Sequence, residues 1–174
     1  MSNPAASLMV AVVGPAVCVK ISGRANFASS VDFKTLVNEM VRRGHRRFVL
    51  DLSDCLVMDS TFLGVLAGLA IKASKAPETA ADGLFELLNP NPRVSDLLEN
   101  LGIVHIFKLR PVGDSLAAAY QPVDSVEATR AEMTRTSIEA HQTLTRVNPE
   151  NAPKFKDVIQ FLAEDLERQE TAPL

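Results

Sequence analysis

The run Asp59-Ser60-Thr61 contains the side chains of this sequence that could take part in chemistry. The run lies between an apolar stretch that ends at Leu52 and a second apolar stretch that begins at Phe62. A serine hydroxyl in this position could be a nucleophile, a helix N-cap or the acceptor of a modification. The residue types alone favour the cap, because Ser, Thr and Asp are preferred N-cap residues.

Catalysis by Ser60 is disfavoured by the surrounding sequence. A nucleophilic serine needs a base within hydrogen-bond reach and donors for an oxyanion. The histidines His45, His105 and His141 have no local spacing that predicts such a pair, although residues distant in sequence can still meet in the fold. The sequence also lacks the Gly-x-Ser-x-Gly elbow of hydrolases and a glycine-rich phosphate loop. We therefore expect a protein that is not an enzyme.

Composition is that of a globular protein and argues against several other functions. Apolar residues make up 47% of the 174 residues, and the formal net charge is -3. The short basic stretch at residues 42–47 has no interleaved aromatic residues, which argues against nucleic-acid binding.

Cys18 and Cys55 lack metal-ligand and redox spacing, so we expect free buried thiols, no metal and no cofactor. We see no signal peptide and no apolar run of the roughly 18–20 residues that a membrane span needs, which predicts a cytoplasmic location.

Hydrophobic patterning predicts an α/β domain over residues 1–110. Runs rich in β-branched residues and short apolar runs indicate strands, and apolar residues at helical spacing between them indicate helices. Ser29 or Ser30 is the expected cap of the first helix. The predicted strands are residues 7–13, 16–22, 46–53, 83–89 and 104–110, with helices near residues 29–44, 60–74 and 92–101. This order, ββαβαβαβ, implies a mostly parallel mixed sheet with one antiparallel hairpin strand and helices packed on it.

The rest of the chain differs from this body in charge and pattern. Residues 1–110 hold 12 Lys+Arg and 10 Asp+Glu, a net of +2, whereas residues 111–174 hold 6 and 11, a net of -5. We interpret residues 111–122 as a linker and residues 123–170 as a C-terminal extension of two helices. Two such helices bury little surface alone, so we expect them to pack on the body, with a homodimer or a partner-docking arm as alternatives. The second helix has an amphipathic stripe of Phe155, Val158, Ile159, Leu162 and Leu166.

The segment FVLDLSDCLVMDSTFLGVLAGLA, residues 48–70, resembles the signature of STAS domains, the fold of bacterial anti-sigma-factor antagonists. The matching blocks are Asp51-Leu52-Ser53, Met58-Asp59-Ser60-Thr61 and Leu63-Gly64-Val65-Leu66. The predicted order of elements is also that of the family. The resemblance covers about residues 6–110 and implies a STAS-like fold, with the C-terminal helices outside it.

The resemblance implies that Ser60 is the phosphate acceptor of a switch in signal transduction and transcription regulation. In the family, a serine kinase that is itself the anti-sigma factor phosphorylates this serine. The unphosphorylated form binds that kinase and frees the sigma factor, and a phosphatase resets the switch. The alternative is a STAS scaffold that is never phosphorylated, in a lipid-transport ABC complex or a signalling assembly.

The same resemblance implies a partner-binding surface around the acceptor serine. Phe62 stands where the family usually has glycine, and Asn26 stands where it often has aspartate. The residues that we expect to contact the partner are Asp59, Thr61, Phe62, Asn26 and Asp54.

Overall fold

The structure is a computed structural model, and it describes residues 6–75, 85–110 and 119–172. Its strands are β1 (Ser7–Val13), β2 (Ala16–Ala25), β3 (Arg47–Asp51), β4 (Cys55–Met58), β5 (Phe85–Leu88), β6 (Lys108–Arg110) and β7 (Gln121–Pro122). Its α-helices are α1 (Phe27–Arg42), α2 (Ser60–Ser74), α3 (Pro92–Asn100), α4 (Arg130–Val147) and α5 (Ala152–Thr171). Two 3₁₀ turns, Val104–Ile106 and Pro149–Asn151, precede β6 and α5.

The strands form one mixed sheet in the order β6-β5-β3-β2-β1-β7. Strands β2, β3, β5 and β6 pair in parallel, whereas β1 pairs antiparallel with β2 and with β7. Gly14, at the turn between β1 and β2, has a φ of 58°, which is a conformation that glycine adopts without steric cost. The predicted fold class, a mostly parallel sheet with a hairpin strand followed by C-terminal helices, is confirmed.

Side-chain alternation along the strands decides which face of the sheet the helices cover. Phe48 and Leu50 in β3 are fully buried in the main core together with Phe33 of α1 and Leu66 of α2. The intervening residue Val49 lies in a smaller cluster with other strand residues, on the opposite face. The helices therefore pack on one face, and the α2 N-terminus is held at the carboxyl end of β2.

Some local predictions differ from the structure. The helix α1 is capped by Asn26, not by Ser29 or Ser30, because the Asn26 side chain accepts the backbone N–H groups of Ala28 and Ser29. Residues 104–110 are a 3₁₀ turn followed by a three-residue strand, because the N–H groups of Ile106 and Phe107 bond within the turn.

A fourth strand was also missed in the segment between β3 and α2. The strand β4 has only four residues and pairs with the end of β2, beyond the part of β2 that pairs with β3. A run this short has too little pattern to be distinguished from a loop. Within the predicted linker, Gln121 and Pro122 pair with β1 as β7, and residues 111–118 lie outside the described residues.

The two predicted C-terminal helices are present, and α4 packs along α2 on the outer side of the helical layer. Ala140 and Leu144 of α4 are buried and belong to the main core. The first helix starts at Arg130, later than predicted, because Thr129 and Glu132 form a capping box there. The division of the chain into a body, a linker and an extension stays a prediction.

The helix α5 packs on α4 and is more exposed than its stripe suggested. No residue of α5 is fully buried, and Phe161 is 62% exposed. Phe155 and Leu162, expected in the core, are only partly buried, with Phe155 packed against the ring of His141 at a centroid distance of 4.9 Å.

Glycine sets the close approach of α2 and α4. A Cβ added at Gly64 would lie 2.3 Å from the backbone oxygen of Ala140, which no side chain can tolerate without a backbone shift. A Cβ added at Gly68, one turn further along, would meet Thr143 at 3.7 Å, an ordinary contact. We call this contact between α2 and α4 the seam. The two helices run parallel along it, because Gly64 meets Ala140 and Gly68, further along α2, meets Thr143, further along α4.

We therefore predict opposite effects for two otherwise equivalent substitutions. Gly64→Ala should lower the free energy of unfolding by about 1–3 kcal/mol, because it overpacks the seam. Gly68→Ala should leave it unchanged or raise it by up to about 1 kcal/mol, because alanine favours the helix and space is available. Urea unfolding of both variants and the wild type measures this difference. Equal effects of the two substitutions would show that the seam is not packed as described.

Candidate functional site

Asp59 fixes the N-terminus of α2 and joins it to α1. Its carboxylate accepts the backbone N–H of Phe62 at 2.8 Å and that of Phe27 at 2.9 Å. Its own N–H donates to the backbone oxygen of Ala25 at 2.9 Å, at the end of β2. One carboxylate therefore satisfies an N–H group at the start of each helix and sets the direction in which Ser60 projects.

The hydroxyl of Ser60 is bonded to a histidine that lies 81 residues further along the chain. The Ser60 Oγ is 2.8 Å from Nε2 of His141, and His141 Nδ1 is 2.7 Å from the backbone oxygen of Ser137. A carbonyl oxygen only accepts, so in the neutral ring Nδ1 carries the proton. The lone pair of Nε2 then accepts the proton of the Ser60 hydroxyl. His141 is only 3% exposed, and Ser60 is partly buried.

The next two residues of α2 face inward. The Thr61 hydroxyl is 2.8 Å from that of Ser137, and both side chains are buried in the seam with α4. Phe62 is fully buried, and its ring packs against Phe33 of α1 at 5.1 Å. In this conformation the Phe62 ring fills the core and cannot contact a partner, which corrects the expectation that it could.

Burial shifts the acid–base equilibria of the two titratable groups at this site. Desolvation lowers the pKa of His141 below its ordinary value of 6.5, and the carbonyl of Ser137 and the charge of Asp59 oppose this shift. Desolvation also raises the pKa of Asp59 above 3.8, against the stabilising N–H groups of Phe62 and Phe27. The site therefore favours a neutral imidazole beside the Ser60 hydroxyl.

The other two predicted contact residues have local structural roles. Asn26 is partly buried and caps α1, one residue before the Phe27 N–H that Asp59 binds. Asp54 is exposed and pairs with Lys20 of β2 at 3.0 Å. The structure thus brings Asp59, Ser60, Thr61 and the start of α1 together, whereas Asp54 is engaged with β2.

The structure adds His141 and Ser137, which the sequence gave no means of connecting to Ser60. Their spacing of four residues places them on one face of a helix, next to Ala140 and Leu144. This spacing of two polar residues on one face of the helix was the available signal in the sequence. Phe27, 50% exposed beside Asp59, was also missed.

The Ser60–His141 pair has the hydroxyl and the base of a nucleophilic centre, but the site lacks free donors for an oxyanion. A histidine at 2.8 Å can accept a serine proton. Acyl transfer also needs N–H donors directed at an oxyanion. At this helix N-terminus the N–H of Phe62 is already bonded to Asp59, and the Asp59 carboxylate would repel an oxyanion. The geometry therefore favours a buried polar contact over catalysis.

The described part of the chain offers no metal site and no membrane-spanning helix. Among residues 6–75, 85–110 and 119–172, no group of three His, Cys, Asp or Glu side chains could hold a metal ion. Cys18 and Cys55 are buried and free, as predicted, and burial raises the pKa of Cys55 to about 11. No helix in those ranges has the length and apolar character needed to cross a membrane.

Comparison with known proteins identifies the family. A profile of the STAS domain matches residues 7–119, so this chain belongs to the STAS domain family. A candidate anti-sigma factor antagonist from Thermotoga maritima has a similar structure, with 26% identity and a TM-score of 0.51 over 57% of this chain and 82% of that one. An anti-sigma factor antagonist from Mycobacterium paratuberculosis shares the fold at 21% identity, with a TM-score of 0.55 over 66% of this chain and 93% of that one. The search of curated proteins gave no match.

The lowered pKa of His141 predicts that the protein loses stability as the pH falls. Above pH 6.5 the imidazole is neutral in both the folded and the unfolded state. Below it, the unfolded chain binds a proton that the folded site resists, so the free energy of unfolding decreases until the pH reaches the lowered pKa. The Asp59 carboxyl acts in the opposite sense, but only as the pH falls through its raised pKa toward 3.8.

Denaturant unfolding between pH 8 and pH 5 measures this slope. His141→Gln should flatten it, because glutamine keeps a polar side chain without titrating in this range. The matched control is His105→Gln, since His105 is exposed and lies outside the site. A slope that is unchanged in His141→Gln would contradict the prediction.

Proposed function

We propose that this protein is a cytoplasmic, non-catalytic interaction module that binds an anti-sigma factor with serine kinase activity and is switched by phosphorylation of Ser60. The observation that carries the proposal is the position of Ser60 within the STAS signature, at the first residue of α2 and the carboxyl end of β2. Partners and ligands commonly meet open α/β sheets at that edge. The likeness to the Thermotoga maritima protein, a candidate anti-sigma factor antagonist, supports the class of partner.

A phosphate at Ser60 would change binding more than it changes the fold. Phosphoserine carries about -1.5 to -2 charges at pH 7. The dipole of α2 favours such a charge by roughly 0.3–1 kcal/mol, whereas the neighbouring Asp59 carboxylate opposes it. A docked partner surface would have to desolvate these like charges or supply Arg and Lys to neutralise them. Phosphorylation therefore acts mainly on the affinity for the partner.

The same site offers one observation in favour of a second function. In the structure the Ser60 hydroxyl is occupied by His141 and is only partly exposed. A STAS scaffold that is never phosphorylated, in a lipid-transport ABC complex or a signalling assembly, needs no accessible hydroxyl there. The two functions differ in whether Ser60 accepts phosphate in the presence of native kinases.

We predict that a native lysate supplied with labelled ATP transfers phosphate to the purified protein at Ser60. Ser60→Ala should abolish the incorporation, because the acceptor oxygen is removed. Ser74→Ala should retain it, since Ser74 lies at the opposite end of the same helix and its hydroxyl donates to the backbone oxygen of Ile71. Mass spectrometry of the labelled peptide locates the phosphate. Absence of label from the wild type would favour the scaffold.

A second prediction concerns the charge that the phosphate brings. Ser60→Asp should bind the kinase at least about tenfold more weakly than the wild type, which corresponds to about 1.4 kcal/mol of repulsion. Ser60→Asn is the matched control, because it has nearly the same size and no charge. Both variants should keep the far-UV circular dichroism of the wild type. Capture from lysate followed by titration with the identified kinase gives the affinities, and tight binding of Ser60→Asp would refute the charge mechanism.

A further inference from the structure

The helix α4 lies over the same residues that the proposed function uses. We propose that the face of α2 formed by Ser60, Thr61 and Gly64 is the docking surface for the partner, and that α4 is its resident occupant. In this mechanism α4 has to leave the face before the partner docks or Ser60 is phosphorylated. The inference rests on the proposed function and adds the regulation of the same site.

The contacts across the seam show that α4 takes up the functional groups of that face. The hydroxyl of Ser60 is bonded to His141, and the hydroxyl of Thr61 is bonded to Ser137. The backbone of Ala140 lies directly against Gly64, with no space for another atom between them. A kinase needs the Ser60 hydroxyl free for attack on its nucleotide, so α4 and an active site cannot occupy this position together.

The seam has the composition of a contact that can open. Of the six buried residues of α4, four are polar, namely Thr134, Thr136, Ser137 and His141. Polar groups lose little net free energy on exchange of such partners for water, and they do not aggregate when exposed. Complete apolar burial in α4 is limited to Ala140 and Leu144, and Val147 and Phe155 are partly buried against the core.

Clefts on both sides of the seam show that α4 does not fill the groove that it covers. A cleft of about 250 Å³ lies between α1, α2 and α4 and is bordered by Lys34, Gly64 and Thr143. A second cleft of about 270 Å³ opens beside Thr61, with the half-exposed ring of Phe27 at its rim. A partner that displaced α4 would find an apolar anchor point there, next to the acceptor serine.

The attachments of α4 to the body are unequal at its two ends. On the N-terminal side, the chain before α4 is held by the two-residue strand β7 and by the exposed bond from the Val126 N–H to Asp32. In the middle of α4, Glu139 pairs with Lys34 at 3.3 Å, at an exposed position where such contacts are weak. At the other end, the fully buried amide of Asn151 donates to the backbone oxygens of Leu101 and Leu144 at 2.9 Å. This turn is therefore the hinge about which α4 and α5 swing away.

Phosphorylation and the closed position of α4 exclude each other. A phosphoryl group on Ser60 replaces the hydroxyl proton and would occupy the space in which Nε2 of His141 lies 2.8 Å from the oxygen. If phosphorylation favours the open state of α4, the open state favours phosphorylation by the same factor, because coupling between two equilibria is reciprocal. The partner and the kinase thus both need the open state, and within that state the charge of the phosphate opposes docking of the partner.

The first test measures opening without any partner. In Ser137→Cys the new thiol replaces a hydroxyl of the seam that is 9% exposed when α4 is closed, so movement of α4 raises its rate of reaction with the reagent DTNB. The native Cys55 is buried in the core and reports global unfolding. We expect the thiol at position 137 to react at least about tenfold faster than Cys55, and more slowly than the thiol of Gln142→Cys, which lies on the exposed side of α4. Reaction no faster than that of Cys55 would overturn the proposal.

The second test locks the seam. The hydroxyls of Thr61 and Ser137 are 2.8 Å apart, so Thr61→Cys/Ser137→Cys should form a disulfide on treatment with oxidised glutathione. We expect the oxidised protein to lose phosphate incorporation at Ser60 in lysate with ATP, and reduction with dithiothreitol to restore it. The reduced protein is its own control, because its sequence is identical.

The outcomes of these tests separate the two proposals. If oxidised and reduced protein accept phosphate equally, α4 is not a cover, whereas the phosphorylated switch stands. If the thiol at position 137 reacts quickly but wild-type protein never accepts phosphate, α4 opens and the proposed phosphorylation fails.

Discussion

The close approach of α2 and α4 at Gly64 is the constraint on which the site depends. Because no side chain separates the backbone of Ala140 from α2, the flanking residues are brought within hydrogen-bond distance of each other. A larger residue at position 64 would hold the helices apart, and the hydroxyls of α2 would then face water. The Asp59 carboxylate also constrains the site, because it holds the start of α2 against the start of α1.

Much of the fold follows from local signals, and the site only in part. The span of α2 was predicted correctly because a polar block meets a long apolar run at Ser60, and α3 was predicted from its proline and glycine boundaries. The strand β4 was missed because four residues carry too little pattern. His141 was missed for a different reason: its partner lies 81 residues away, and the packing that joins them depends on a glycine in another helix.

Asp59 and Ser60 divide the roles of capping and of contact with α4 at one helix end. The carboxylate of Asp59 takes the role of the N-cap, which frees the Ser60 hydroxyl from that role. Residue types alone could not assign these roles, because either side chain is a good cap. In the structure the freed hydroxyl reaches across to α4, so a modification there alters the contact between helices and leaves the cap of α2 in place.

The neutral state of His141 connects the chemistry of the site to the regulation by α4 that we propose. Desolvation favours the uncharged imidazole when α4 is closed, and an unprotonated Nε2 accepts a hydrogen bond but cannot donate one. The dianion of phosphoserine, its main form at neutral pH, has no proton to donate to a neutral Nε2, and its charge would lie beside the Asp59 carboxylate. The closed seam therefore selects the unmodified serine by both size and protonation. Opening exposes the imidazole to water, where it can take up a proton and no longer favours return to the closed position.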